Sequence, residues 1–220
     1  MGYAGMDISI YPGDDVMDDL IETTNLIWCG FYLGPAPSHK DPSWMDRRAH
    51  LQKTGWGFAP IYVGQQETSG PGSHVLTAKQ GELDADNACF LAKAAGFGSR
   101  SVIYLDVEQG GALSTACAAY VKAWLEIVAA FDYVPGVYCS HTTAASVQAL
   151  GVDVKLWVFK VATINTNTTK TQPFKDDDPH ETGIADAVAW QWAQECAIST
   201  VRGPLYVDLD TAAVSDPSIV

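Results

Sequence analysis

Asp106 and Glu108 stand two residues apart at the end of an apolar stretch, Ser101–Glu108 (S-V-I-Y-L-D-V-E). Carboxyls so placed suit acid–base work on an acetal: one protonates the leaving oxygen, another steadies the oxocarbenium-like transition state. The arrangement recurs, since Asp208 and Asp210 alternate with Val207 and Leu209, and Asp7 lies between Met6 and Ile8. A strand sends alternate side chains to opposite faces, so in three segments acids oppose an apolar face. Asp7, Asp106, Glu108 and Asp208 are therefore expected to converge at one mouth as the catalytic set. Crowded like charges and burial raise a carboxyl pKa. Glu108, longer by one methylene and nearer the strand end, is expected to be the proton donor, with Asp106 ionised.

Tyr62, Tyr104, Tyr138 and Trp190 are candidates for stacking on sugar faces, although strand aromatics are more often core. Gln191, polar between Trp190 and Trp192, and Asp210 are candidates for polar contacts with a bound sugar. The run Asp176–Glu181 could hold a hard cation, but it lacks ordered ligand spacing and reads as a solvated loop. No metal and no cofactor are expected. Asn167-Thr168-Thr169 fits a glycosylation acceptor, a common chance match, and no Ser-His-Asp or Cys-His arrangement has supporting spacing. The five cysteines are odd in number and widely spaced, which reads as buried free thiols.

These side chains need elements to hold them. Met6–Ile10 alternates as a first strand, and Asp14 or Asp15 can cap a helix to about Thr24. Leu26–Leu33 is a second strand, followed by a Pro-rich loop and a helix from Ser43 to near Gly55. Gly57–Gly64 is a third strand, Thr77–Ala95 an Ala-rich helix, and Ser101–Glu108 the fourth strand. Ser114 caps a helix to Phe131. Val134–Ser140 and Lys155–Ala162 are strands five and six, with a short helix at Thr143–Leu150 between them. The polar segment Asn165–Asp186 is too long for an ordinary connection. Ala187–Gln194 and Tyr206–Asp210 complete eight strands. Alternating strands and helices mean a parallel α/β domain, and eight strands suggest a closed (β/α)8 TIM-like barrel with irregular or missing last helices. An open doubly wound sheet is the alternative.

At 220 residues, 1–220 reads as a single domain. Thirteen Lys and Arg against 26 Asp and Glu give a net charge of -13, which argues against nucleic acid and anionic membrane surfaces as partners. A monomer is expected. Met1–Asp15 has neither the basic nor the apolar region of a signal peptide. Secretion or delivery to the cell wall or periplasm would use a route not visible in the chain.

Gly55–Gln66 (G-W-G-F-A-P-I-Y-V-G-Q-Q), the Asp84-Ala85-Asp86 helix, Ile103–Glu108, Gly136–Ser140 and the Asp7-Ile8-Ser9 start together resemble a bacterial glycoside-hydrolase-like family, described as a domain of unknown function. That family is similar in turn to the Chalaropsis-type lysozymes, glycoside hydrolase family 25. Their D-x-S, D-x-E, W-Q and V-D-x-N strand motifs fall here on Asp7 and Ser9, Asp106 and Glu108, Trp190 and Gln191, and Val207 and Asp208. The resemblance implies a β/α barrel cleaving the N-acetylmuramic acid to N-acetylglucosamine bond of peptidoglycan. It implies Glu108 as general acid and Asp106 as the group that stabilises the transition state or orients the 2-acetamido group, with Asp7 and Asp208 flanking. The chain departs from the lysozyme pattern at Asp210, which stands where the lysozymes have Asn.

A retaining glycosidase on cell-wall glycan is thus the first expectation. A non-catalytic glycan-binding module on the same barrel and a metal-assisted hydrolase are the alternatives.

Overall fold

In the computed structural model, which describes residues 1–67, 71–161 and 169–219, eight strands close a barrel in chain order. They are β1 (Tyr3–Asp7), β2 (Trp28–Tyr32), β3 (Gly57–Tyr62), β4 (Val102–Val107), β5 (Val134–Ser140), β6 (Lys155–Phe159), β7 (Ala187–Thr200) and β8 (Gly203–Ala212). Helices α1 (Asp14–Thr23), α2 (Arg48–Thr54), α3 (Ala78–Ala94), α4 (Thr115–Ala130) and α5 (Ala144–Gln148) follow the first five strands. Beyond β6 the only helix among the described residues is a 3-10 turn, Pro179–Thr182. The expected TIM-like barrel with reduced last helices is the observed architecture.

The starts of α3 and α4 follow from local chemistry. Thr77 and Ser114 sit in extended backbone and their hydroxyls accept from the amides of Gln80 and Cys117, satisfying donors that have no partner within the helix. The start of α1 differs from expectation: Gly13 is the N-cap, with no side-chain bond, and Asp14 and Asp15 occupy the first turn, where carboxylates favour the helix dipole. Ser43 caps nothing either; α2 begins at Arg48, and the Ser43 hydroxyl accepts from the Tyr11 amide.

Strands β1 to β7 run parallel, but β8 is antiparallel to both β7 and β1. This corrects the expectation of a wholly parallel sheet. Only Val201 and Arg202 separate β7 from β8, and two residues can join strands only as an antiparallel hairpin. The reversal changes the order of the acids. Asp208 pairs with Asp7 at the mouth, while Asp210 pairs with Gly5, one layer further in.

Two apolar layers follow from strand alternation. Met6, Cys29, Phe31, Phe58, Ile103, Leu105, Val107, Val137 and Cys139 point outward against the helices. Trp28, Ile61, Tyr104, Tyr138 and Trp157 fill the interior. Trp157 is central, with edge-on ring contacts to Tyr138 at 5.0 Å, Trp28 at 5.6 Å and Tyr104 at 5.9 Å. The floor is closed by the segment after β8: the Tyr104 hydroxyl donates to the Pro217 carbonyl, and Asp216 accepts from the Phe58 amide. All five cysteines are free and buried.

The acidic run Asp176–Glu181 is tied into this frame. The carbonyl of Asp176 accepts from the Gly2 amide, that of Asp177 from the Thr211 hydroxyl, and Asp178 caps the 3-10 turn. Asn167 and Thr168 of the glycosylation pattern, and Ala162 of the expected sixth strand, lie outside the described residues.

Candidate active site

Asp7 ends β1, and its side chain enters the barrel because β2 carries glycine opposite it. A Cβ on Gly30 would lie 2.6 Å from the Asp7 Cβ, closer than real Cβ contacts come. The Tyr32 hydroxyl donates to Asp7 Oδ1 at 2.7 Å. Gln191, on β7 and almost fully buried, joins the acids of the seam: its Nε2 donates to Asp208 Oδ2 at 2.8 Å and to Asp7 Oδ2 at 3.2 Å. Its Oε1 accepts from the Tyr138 hydroxyl at 2.9 Å and from Gln194 Nε2 at 3.3 Å.

Two extra residues in β7 shape the rim above. The β7–β8 register shifts between Gln191 and Ala193 and again between Ala193 and Cys196, and such bulges re-aim side chains. Glu195 takes a positive φ of 47°, a conformation non-glycine residues rarely hold. In that pose its backbone amide donates to Asp208 Oδ1 at 2.6 Å. Asp7, Ser9, Tyr32, Glu195, Tyr206 and Asp208 border a cleft of about 310 Å3.

Asp106 and Glu108 approach from β4. Asp106 is buried, with Oδ1 lacking any hydrogen-bond partner among the described residues, whereas Glu108 emerges at the rim. Gln66 holds their backbone: its Nε2 donates to the Asp106 carbonyl at 3.1 Å and its Oε1 accepts from the Glu108 amide at 3.4 Å. The loop bearing Gln66 is fixed by Asp84, which accepts from Gln65 Nε2 at 3.0 Å and from the Tyr120 hydroxyl at 2.9 Å.

Burial dominates the electrostatics. It pushes Asp106 well above the usual carboxylate range, with the charges of Glu108 and Asp7 adding to it. Glu108 is raised by partial desolvation alone. Burial thus favours the protonated form of the deeper Asp106 as well as that of Glu108. Asp208 is pushed up to about 8 by burial and by Asp7, despite its bonds from Glu195 and Gln191. Asp7 is raised by burial, and bonds from Tyr32, Gln191 and Asp210 oppose that rise.

Four of the sugar-contact candidates lie away from the cleft. Tyr62 points outward from β3 and donates to Asn87, because β3 turns Ala59 and Ile61 inward. Tyr104 is interior but lies near the floor, fully buried. Trp190 faces outward, its indole donating to the Lys160 carbonyl under the Lys175 ammonium. Asp210 is fully buried below Asp7. Tyr138 and Gln191 do stand beside the acids. Gly30, Tyr32, Gln66, Gln194, Glu195 and Tyr206 were not singled out from sequence. The alternation Trp28-x-Gly30-x-Tyr32 marks an inward face and carries the signal for two of them; the bulge that lifts Glu195 carries none.

Among the described residues no group of three or more His, Cys, Asp or Glu side chains is arranged to hold a metal ion. No described helix is long and apolar enough to cross a membrane.

The architecture is shared with solved structures. An uncharacterized protein of B. stearothermophilus superposes with a TM-score of 0.69 at 22% identity, covering 96% of each chain. The Tat-secreted protein Rv2525c of Mycobacterium tuberculosis, crystallised with HEPES, gives 0.66 at 15% identity over 99% of this chain and 97% of that one. A family GH25 lysozyme of Aspergillus fumigatus gives 0.60 at 15% identity over 96% and 94%. No curated protein matches the sequence. The family model for the Rv2525c-like, glycoside hydrolase-like domain matches residues 21–212. The chain belongs to the Rv2525c-like family of glycoside hydrolase-like domains.

Proposed function

We propose that the protein is a lysozyme-like glycoside hydrolase acting on the glycan of bacterial peptidoglycan, with Glu108 as proton donor. The observation that carries this reading is the carboxyl pair of β4, one buried and one at the rim, facing two further acids on the strands that close the barrel. Asp106 and Glu108 lie about 7 Å apart along the strand by the rise per residue. Burial and the neighbouring Glu108 charge favour a proton on Asp106. A sugar chain entering the mouth excludes water from Glu108 and raises its pKa, so the proton moves to Glu108 and leaves Asp106 anionic. Glu108 then protonates the glycosidic oxygen as the C–O bond breaks, while Asp106 offsets the positive charge on the sugar or orients its 2-acetamido group. Glu108, now a carboxylate, takes a proton from the incoming water, whose oxygen bonds to the anomeric carbon and restores the acid. Asp7 and Asp208 flank the ring, with Tyr138 and Gln191 setting their orientation.

Strands from both ends of the described chain make one barrel, which supports a single domain over 1–220; a monomer is the accompanying reading. The lysozyme of similar fold supports a peptidoglycan substrate, and the Tat-secreted relative supports a site of action outside the cytoplasm.

The test is digestion of a peptidoglycan suspension, with the new reducing ends identified by muropeptide analysis. The parent should release muramic acid ends, and Glu108→Gln should cut the rate by about 10²–10⁴-fold while remaining folded. An activated glycoside with a good leaving group should partly restore Glu108→Gln and leave Asp106→Asn impaired. A folded Glu108→Gln protein that digests at the parent rate sinks the assignment. Binding of glycan by the parent without turnover makes the barrel a binding module instead.

A further inference from the structure

The innermost carboxyl of the barrel, Asp210, has no role in the scheme above. It lies on β8 opposite Gly5, fully buried. Its Oδ1 accepts from the Trp157 indole at 2.9 Å. Its Oδ2 receives no hydrogen bond from any donor among the described residues. The polar group beside it is the Asp7 carboxyl, two residues on from Gly5 and on the same inward face, close enough for the two carboxyls to perturb one another. Two carboxylates cannot bond to each other; one must bring a hydrogen.

Asp7 already accepts from Tyr32 and Gln191, which suits an anion. Asp210 accepts one bond at Oδ1 and has the spare oxygen facing Asp7, which suits an acid. We infer that Asp210 is a neutral carboxylic acid in the folded protein, donating from Oδ2 to Asp7 and so fixing Asp7 as an oriented anion at the mouth. Asp210 is a positioning residue: it is fully buried, bonded to Trp157, paired across the sheet with Gln191 and set beside Asp7. A protonated carboxyl offers one acceptor and one donor, the same pair that an asparagine amide presents.

The groups facing Asp210 agree with this assignment. They are Asp7 on β1, Asp208 beside it on β8, Tyr138 on β5 and Trp157 on β6. None is a cation. Burial and the two neighbouring acids push Asp210 well above the usual range, more than the Trp157 bond lowers it. The proton state stands independently of glycan turnover; its value to the chemistry rests on the glycosidase reading.

The experiment reads the proton on the unaltered protein. In uniformly labelled chain, the Asp210 Cγ resonance, assigned through its own backbone, should hold the position of a protonated acid from about pH 5 to about pH 8. Asp210→Asn should fold and unfold like the parent in acid, because the amide supplies both bonds, whereas Asp210→Leu should be strongly destabilised. Between those pH limits the parent's unfolding constant should rise by about tenfold more per pH unit than that of Asp210→Asn, since the parent must release one proton on unfolding. An Asp210 resonance at the ionised position, parallel pH profiles, or an Asp210→Asn protein no better folded than Asp210→Leu would each overturn the inference. None of these readouts involves glycan, so they are separable from a failure of the proposed activity.

Discussion

Replacing Gln191 by leucine tests the joint that holds the closing strands to the site. Leucine has a similar volume, so the space stays filled while four hydrogen bonds go: those to Asp7 and Asp208, and those from Tyr138 and Gln194. Asp7 retains Tyr32, and Asp208 retains the Glu195 amide and reaches solvent at the mouth. The Tyr138 hydroxyl, in a side chain only 8% exposed, is left without an acceptor. An orphaned buried hydroxyl costs about 1–3 kcal/mol, the lost bond to the Asp7 anion about 1.5–3 kcal/mol, and that to Asp208, protonated below about pH 8, about 0.5–1.5 kcal/mol. Partial replacement by water at Asp208 trims the sum to about 3–5 kcal/mol. In a chain of this length that is about 10 °C in melting temperature. Urea titration at fixed pH should show the lower midpoint with an unchanged slope. Because Gln191 holds both acids down, Asp208 should also give up its proton at a higher pH than its present value of about 8. A Gln191→Leu protein within about 1 kcal/mol of the parent would refute the view that this side chain organises the seam.

The remaining expectations are shorter. Gly30→Ala sets a methyl 2.6 Å from the Asp7 Cβ and should cost about 1–3 kcal/mol by overpacking, while Gly98→Ala, with open space around it, should unfold at the parent's midpoint. Asp106, Asp208 and Asp210 all titrate above their unfolded values, so the folded state holds extra protons. The Asp208 proton alone should make stability fall by about 1.4 kcal/mol per pH unit as pH rises from about 4 toward about 8, and a stability that climbs over that range would contradict the burial argument. Gln66→Ala should leave a folded protein whose glycan cleavage drops about 10²-fold through misplacement of the β4 acids; unchanged turnover would remove Gln66 from the site. Exhaustive chelation should shift neither melting temperature nor turnover, and a large fall would require a metal site formed outside the described residues.

The parts of this fold that were legible in the sequence are those governed by period and caps. Ile103, Leu105 and Val107 face outward as their alternation says, and Thr77 and Ser114 cap where a side-chain acceptor precedes a helical run. What escaped was anything set by a partner strand. β1 begins at Tyr3 because Gly5 admits the Trp28 ring, yet Tyr-Ala-Gly has little strand character of its own. Ile8 and Ile10, which looked like its continuation, lie beyond the strand, and Ile10 is 58% exposed. Direction escaped as well, since Val207 to Asp210 alternates identically whichever way the strand runs, and only the hairpin fixes the sense. Hence Asp210, a candidate for contact with a bound sugar, stands one layer below Asp208. Aromatic type gave no guide to depth, so Tyr62, Tyr104 and Trp190 were grouped with Tyr138 although only the last meets the acids.

The seam between β1 and β8 joins residues 3–7 to residues 208–212, the greatest sequence separation of any strand pair in the barrel. Closing so long a loop is entropically unfavourable until its contacts form, and contacts of that range form late when a chain folds. The β7–β8 hairpin, by contrast, is local and can assemble early. Asp7 and Asp208 face each other across that seam, so every partly folded state that lacks it keeps its carboxyls apart and hydrated. The acidic cluster with its shifted protons then comes into being only at the last step, and proton uptake followed in real time during refolding would report when the barrel shuts.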